Sequence, residues 1–197
     1  MKSVCAFTRK PGLSRAAFQG YYEMHHALLA VMHFPFRGYA RNHVLPGQRA
    51  RFETISEFWA DDPARLTDVL AGPSGAIMAA DEAQFMGRER ITPAAAVETR
   101  LSPGAQTNAA GLRWLVLLSW AGETVQDDLH NWARDVASFQ PGVSLDILHL
   151  LPGAKFPAQA LLWLPDFTLA PPPPPRLTLR ALRVRRAETA KKDLLPP

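Results

Sequence analysis

Two hydrophobic rhythms take turns along this chain, a strand-like alternation in short runs and a helical period in longer ones. Residues 2–9 form a short apolar run with Val4, Cys5 and Phe7, read as a strand. After the turn Lys10-Pro11-Gly12, Ser14 stands where an N-cap belongs, and a periodic stretch runs to about Met32. Phe18, Tyr22, His25, Leu29 and Met32 follow a 4-3-4-3 spacing that places them on one face of a single helix. His33-Phe34-Pro35-Phe36 ends it, because a residue before proline disfavours the α region. Residues 38–45 read as a second strand and 51–60 as a third. Asp61-Asp62-Pro63 opens a helix that runs to about Leu70, with acids at its N-terminus and proline in its first turn. A second helical segment, 76–87, follows the break at Gly72-Pro73-Ser74-Gly75, and 89–100 reads as a strand. The order β-α-β-β-α-β is the split ferredoxin-like arrangement.

Residues 101–111 are turn formers and small polar residues, which makes them the candidate linker. The pattern then restarts. Residues 112–120 read as a strand, and 124–139 are helix-periodic with Val125, Leu129, Trp132, Val136 and Phe139 on one face. Residues 143–151, 159–164 and 176–189 read as three further strands. His43-Val44-Leu45-Pro46-Gly47 matches His149-Leu150-Leu151-Pro152-Gly153 at the end of the second strand of each half, and Trp59 has a counterpart in Trp163. Where the first half has its second helix, the second has Ala170 followed by five prolines. Consecutive prolines cannot be helical and favour an extended polyproline II segment of about 15 Å. The expected organisation is an α+β chain of two ferredoxin-like units in tandem: a unit over 1–100, a linker over 101–111, a degenerate second unit over 112–189 lacking one helix, and a mobile tail over 190–197.

Charge changes this picture little. The chain is +4, yet residues 176–197 hold seven Lys and Arg against Glu188 and Asp193, so the last 22 residues contribute +5 and the rest −1. The high pI therefore describes a basic C-terminal strand and tail, read as a solvated face rather than a nucleic-acid surface. Cys5 is the one cysteine, so no disulfide framework or zinc cluster forms; it reads as a small buried hydrophobe. Arg9, Lys10 and Pro11 interrupt the opening apolar run, and no stretch is long enough to span a bilayer, so a cytoplasmic protein with no membrane partner is expected.

Four motifs carry a family resemblance: Phe18-x-x-Tyr21-Tyr22-Glu23-x-x-His26-Ala27, Tyr39-x-x-Asn42-His43-Val44-Leu45, Ile55-x-Glu57-Phe58-Trp59, and Asp81-Glu82-Ala83-x-Phe85. Over residues 1–100 the chain resembles the EthD family of the dimeric α+β barrels. It departs at Leu28, where relatives often have proline. The resemblance implies two ferredoxin-like units pressed together as a barrel, with a ligand pocket between a sheet and its own helices. A chain with two units can build that barrel within one polypeptide, because an open four-stranded sheet leaves an apolar face that a second sheet buries. A homodimer of such chains stays possible. Relatives include polyketide cyclases, dehydratases, decarboxylases, lactone isomerases and cofactor-free oxygenases, and others are accessory proteins. Some related barrels bind haem, which nothing in this sequence calls for.

Within that frame the catalytic candidates are His26 and His43. His26 lies four residues after Tyr22 at the edge of the apolar stripe, where an imidazole can serve as a general base or be satisfied by a backbone carbonyl. His43 ends the second strand beside Asn42, and alternation sends the two to opposite faces. Its match in His149 also allows a structural role. His25 has the phase of the stripe and points at the sheet. Glu57 and Trp59 share a face of the third strand. That carboxyl is either raised in pKa beside the indole and acts as an acid, or is a rim charge paired with Arg41 or Arg51. Asp81 orients a histidine or caps a segment. Tyr22, Tyr39 and Phe85 supply aromatic wall for a flat hydrophobic guest. The second-half helix places Val136 and Ala137 opposite His25 and His26, so one working pocket is expected, in residues 1–100. No metal set and no phosphate-binding glycine loop is present, and no cofactor is expected.

The leading expectation is a cofactor-independent lyase (dehydratase, decarboxylase or cyclase) acting on a hydrophobic aromatic or polyketide-like molecule through a histidine acid/base. The alternatives are a non-catalytic small-molecule-binding accessory protein, or an isomerase or cofactor-free monooxygenase using the same pocket. A nucleic-acid binder would present paired aromatics on central strands, and no such signature is found.

Overall fold

A computed structural model describes residues 1–87, 91–121, 125–150 and 155–195. The first unit runs β1 (Lys2–Phe7), α1 (Arg15–Tyr21), a π-helical turn (Tyr22–His26), α2 (Ala27–His33), β2 (Gly38–Val44), β3 (Thr54–Trp59), α3 (Pro63–Ala71), α4 (Pro73–Phe85) and β4 (Thr92–Arg100). The second runs β5 (Leu112–Trp120), α5 (Val125–Ser138), β6 (Ser144–Leu150), β7 (Ala160–Leu164) and β8 (Leu177–Glu188). Helix starts follow the local chemistry. Ser14 Oγ accepts from the Ala17 N–H at 3.1 Å, and Asp62 Oδ1 accepts from the Ala64 N–H at 2.9 Å.

The eight strands close into one antiparallel barrel in the order β1-β3-β2-β8-β5-β7-β6-β4. Within the first unit that order is β4-β1-β3-β2, and within the second it is β8-β5-β7-β6, the same arrangement. The seams between units are β2 against β8 and β4 against β6. Closure leaves no free sheet edge among the described strands. Strand alternation then separates two surfaces. Val4, Val44, Ile55, Leu115, Leu161 and Val184 pack inside the barrel. Phe18, Tyr22, Val31, Tyr39, Met78 and Phe85 form a core between the first sheet and its helices. Val116, Leu129, Trp132, Val136, Leu145 and Leu162 form the matching core of the second unit.

Several expectations need correction. The helix expected over 14–32 is not uniform. At Tyr22–His26 the Ala27 N–H bonds back to the Tyr22 carbonyl, an i→i+5 step that inserts one residue into the helical frame. Beyond it the buried face moves by one position: Ala27, Ala30 and Val31 are buried, while Leu28 and Met32 are exposed. His25 accordingly lies exposed rather than facing the sheet. Phe139 is exposed because α5 ends at Ser138. His149 is exposed where its counterpart His43 is buried, and residues 151–153 of its motif lie outside the described residues, as do 88–90 at the expected start of the fourth strand. The five prolines do take the place of a second helix, and the Trp132 indole N–H donates to the Pro171 carbonyl at 3.0 Å. The tail is partly anchored, since Leu194 packs against the core of the first unit; residues 196–197 lie outside the described residues. Not all of the C-terminal charge is solvated either, because the Arg186 side chain turns into the barrel.

Candidate functional site

The sequence-chosen residues fall into two groups on opposite faces of the first sheet. Tyr22, His26, Tyr39, His43, Asp81 and Phe85 lie on the helix side, whereas Asn42, Glu57 and Trp59 face the barrel interior. His25 joins neither group and stacks on Tyr21, ring centroids 4.9 Å apart.

On the helix side, the π turn brings the His26 ring inward. Its Nδ1 lies 2.7 Å from Asp81 Oδ2, a contact that spans from the first helical segment to α4. The Tyr21 hydroxyl donates to the other oxygen, Asp81 Oδ1, at 2.8 Å. Asp81 thus contacts both a histidine and a tyrosine, a geometry that suits the first of the two roles open to it. The Nδ1–H then belongs to the carboxylate, which leaves Nε2 as the basic nitrogen. No hydrogen bond reaches Nε2 among the described residues. Burial pulls the His26 pKa below the ordinary histidine value, and the Asp81 hydrogen bond and charge offset only part of that pull. Tyr22 and Phe85 enclose the ring, with centroids 4.8 and 5.1 Å away.

Beside it runs a second polar chain. The Tyr39 hydroxyl donates to the Tyr22 hydroxyl at 3.0 Å, and that oxygen lies 2.9 Å from Ser56 Oγ. Burial raises both phenols, so both stay protonated near neutral pH. His43 is committed at both nitrogens, with Nδ1 2.6 Å from Thr54 Oγ1 and Nε2 2.6 Å from Glu23 Oε1. Glu23 also takes a two-pronged contact from Arg41, at 3.0 Å from Nε and 2.6 Å from Nη2. Burial works against the Glu23 carboxylate, yet His43 and Arg41 hold it down to about 2. With no lone pair to spare, His43 is a structural link rather than a free base. Arg41 Nη1 extends the link to Thr189 Oγ1 of the second unit at 2.6 Å.

Inside the barrel, Glu57 is neither an acid with a raised pKa nor a partner of Arg41 or Arg51. It is fully buried, paired with Lys2 at 2.8 Å and with Arg113 and Arg186. Burial pushes its pKa up, but the charges of Arg113, Lys2 and Arg186 prevail and hold it well below the carboxylate range. Lys2 bridges the units by also meeting Asp146 at 2.8 Å and Glu98 at 2.9 Å. Asp146, which accepts from the Trp163 indole N–H at 2.7 Å, is pushed up to about 6, chiefly by burial. Asn42 donates to Glu57 Oε1 at 3.0 Å and accepts from Arg113 Nε at 2.9 Å. Lys2, Arg113, Asp146 and Arg186 were not singled out from sequence. Their signal was a lone charge on the inward phase of an otherwise apolar strand, clearest for Arg113 in Leu112–Trp120 and Asp146 in Ser144–Leu150.

His26 lines none of the well-formed clefts at the Trp59–Arg186 mouth, around Phe52 and Leu179, beside Arg9 and Glu53, or between α5 and the prolines. Among the described residues no three His, Cys, Asp or Glu side chains come together to hold a metal, and no helix is long and apolar enough to cross a membrane.

Residues 10–89 match the EthD domain model. Among solved structures, an ethyl tert-butyl ether D (EthD) family protein from Bacillus halodurans C-125 is 22% identical, covering 47% of this chain and 93% of that one with a TM-score of 0.39. A candidate monooxygenase from Lactobacillus acidophilus NCFM is 8% identical, covering 96% of this chain and 95% of that one with a TM-score of 0.58. An anthrone oxidase-like protein is 9% identical, covering 95% and 92% with a TM-score of 0.57. The last two likenesses extend over both units and show the barrel fold. No curated protein matches in sequence.

Proposed function

From the EthD domain that this chain carries over residues 10–89, we propose a small-molecule enzyme whose general base is His26, acting on a hydrophobic, aromatic or polyketide-like carbonyl compound as a lyase. The observation that carries this reading is the contact of His26 Nδ1 with Asp81 Oδ2 at 2.7 Å, with no hydrogen bond to Nε2 among the described residues. The lowered pKa keeps the imidazole neutral at neutral pH, the form that can accept a proton. Nε2 removes the proton next to the carbonyl, and Asp81 steadies the imidazolium that forms. The imidazolium then returns the proton to a β-hydroxyl as it leaves. A C–H and a C–O bond break, a C=C bond forms, and water is released. No cofactor enters this sequence. Phe85 packs against the His26 ring, centroids 5.1 Å apart. An isomerase would use the same first step and return the proton to a different carbon.

The test is solvent deuterium exchange. Aromatic β-hydroxyketones and 1,3-diketones are incubated with the protein in deuterium oxide and followed by proton NMR. Wild type accelerates loss of the α-proton signal, and His26→Gln loses about 10²- to 10⁴-fold of that rate. Exchange that persists in the variant, or no acceleration by wild type across the series, removes the proposal.

A further inference from the structure

A different part of the molecule carries an inference that does not rest on the His26 reading. The barrel end formed by the start of β2 and the ends of β3, β4 and β8 opens into a cleft of about 680 Å³. Both units contribute to it: Arg37, Trp59, Glu98 and Arg100 come from the first, Arg186 and Glu188 from the second. That volume is within the usual range for a small organic ligand.

The charges of this mouth are nearly all committed. Arg37 pairs with Asp61, and Glu98 with Lys2. Arg186 holds Glu57 on its inner side and Glu188 on its outer side. Arg100 is the exception. It pairs with no carboxylate among the described residues and donates only to the Gly104 carbonyl, at 3.3 Å. Beneath the mouth, Arg113 shares Glu57 Oε1 with Arg186. Arg113 Nη1 is fully buried and has no hydrogen-bond partner among the described residues, though Arg113 does not itself line the cleft. A buried guanidinium donor left unpaired is costly unless an acceptor arrives. On the cleft wall itself, Arg100 is the guanidinium left without a carboxylate partner among the described residues. Trp59 adds an indole wall, over which Lys2 Nζ lies 4.8 Å and the Arg186 guanidinium 5.9 Å from the ring centroid, and its N–H is held by Glu98 at 3.2 Å.

We propose that this mouth is a binding site for a small planar organic anion, an aromatic carboxylate. Its carboxylate lies on Arg100 and its ring against Trp59. The site is distinct from the helix-side histidine, because strand alternation puts the barrel interior and the helix-covered face on opposite sides of the sheet. Arg186 and Glu188 of the second unit complete the wall of the cleft around Arg100 and Trp59.

The probe is 4-fluorobenzoate, titrated into the full chain and followed by fluorine NMR, with uncharged 4-fluorobenzyl alcohol as the comparison. Saturable binding of the acid, at least 10-fold tighter than the alcohol, is expected. Arg100→Gln weakens it at least 10-fold while leaving the thermal midpoint unchanged, and His26→Gln leaves the affinity as in wild type. Absence of saturable binding, equal binding of the alcohol, or an affinity unaltered by Arg100→Gln overturns the site. Loss of binding in His26→Gln moves the ligand to the helix side and overturns it equally. Deuterium exchange reads the histidine proposal separately, so either can fail alone.

Discussion

His25 and His26 are neighbours in the chain, yet the first is exposed and the second is buried with its Nδ1 on Asp81. The π turn allows this by adding one residue to the frame between Tyr22 and Ala27. The addition is reversible in principle. Deleting Met24, which is exposed, places His26 three residues after Tyr22 and Ala27 four after it, an ordinary α-helical spacing. The shortened helix keeps the same buried face, with a cost of about 1 kcal/mol and a Tm drop of about 2–4 °C. Deleting Ala30 from the regular α2 puts Val31 and everything after it out of phase, and costs several-fold more. Differential scanning calorimetry of the two deletions checks this, and equal losses would refute the phase argument.

Glu57 is the anion that three buried or nearly buried cations share. Glu57→Gln removes its charge and leaves Arg113 without its paired carboxylate, so a loss of about 3–5 kcal/mol is expected. Glu98 also pairs with Lys2 but is partly exposed, and Glu98→Gln loses about 1 kcal/mol or less. Urea unfolding of both variants measures the contrast.

Asp146 gives the cluster a pH dependence of known sign. Its folded pKa of about 6 lies above the ordinary 3.8. Between these values the native chain holds a proton that the unfolded chain has released. Its contribution to stability is therefore full below about pH 4 and is lost as pH rises to about 6, by roughly 3 kcal/mol. Glu23, held down to about 2, acts the other way, adding stability as pH rises from about 2 through its ordinary range near 4.5. The stability difference between wild type and Asp146→Asn isolates the first effect. That difference should move against wild type as pH climbs from 4 to 7, and a flat difference would exclude it.

Much of this fold was legible because strand alternation, turn residues and helix caps all agree locally. Ser14, Asp62 and the turn at Pro46-Gly47 placed element ends to within a few residues, and Trp59 and Trp163 marked the third strand of each half. What failed was phase. A helical wheel assumes a constant rotation per residue, and the single extra residue before Ala27 is invisible to it; hence His25 was placed inward. Glu57 failed for another reason. Its face of the strand was right, but that face looks into the barrel, and the cations that lower its pKa come mostly from strands far along the chain. Long-range ion pairs leave no local pattern beyond a lone charge in an apolar run. Asp81 stayed open between two roles because its partner lies 55 residues away.

The Asp81 contact raises the His26 pKa against the pull of burial, so Asp81→Asn lowers that pKa further. It also frees the ring to change tautomer, and deuterium exchange falls by about 10²-fold or more. A rate unchanged in this variant would separate Asp81 from the chemistry.

Nitrogen-15 NMR of histidine-labelled protein, titrated from pH 4 to 9, reads the His26 ring itself. A neutral imidazole is expected at pH 7, protonated on Nδ1 and bare on Nε2, with a midpoint below the ordinary histidine value. A midpoint at or above that value, or a proton found on Nε2 in the neutral form, would mean that His26 is not the base described here.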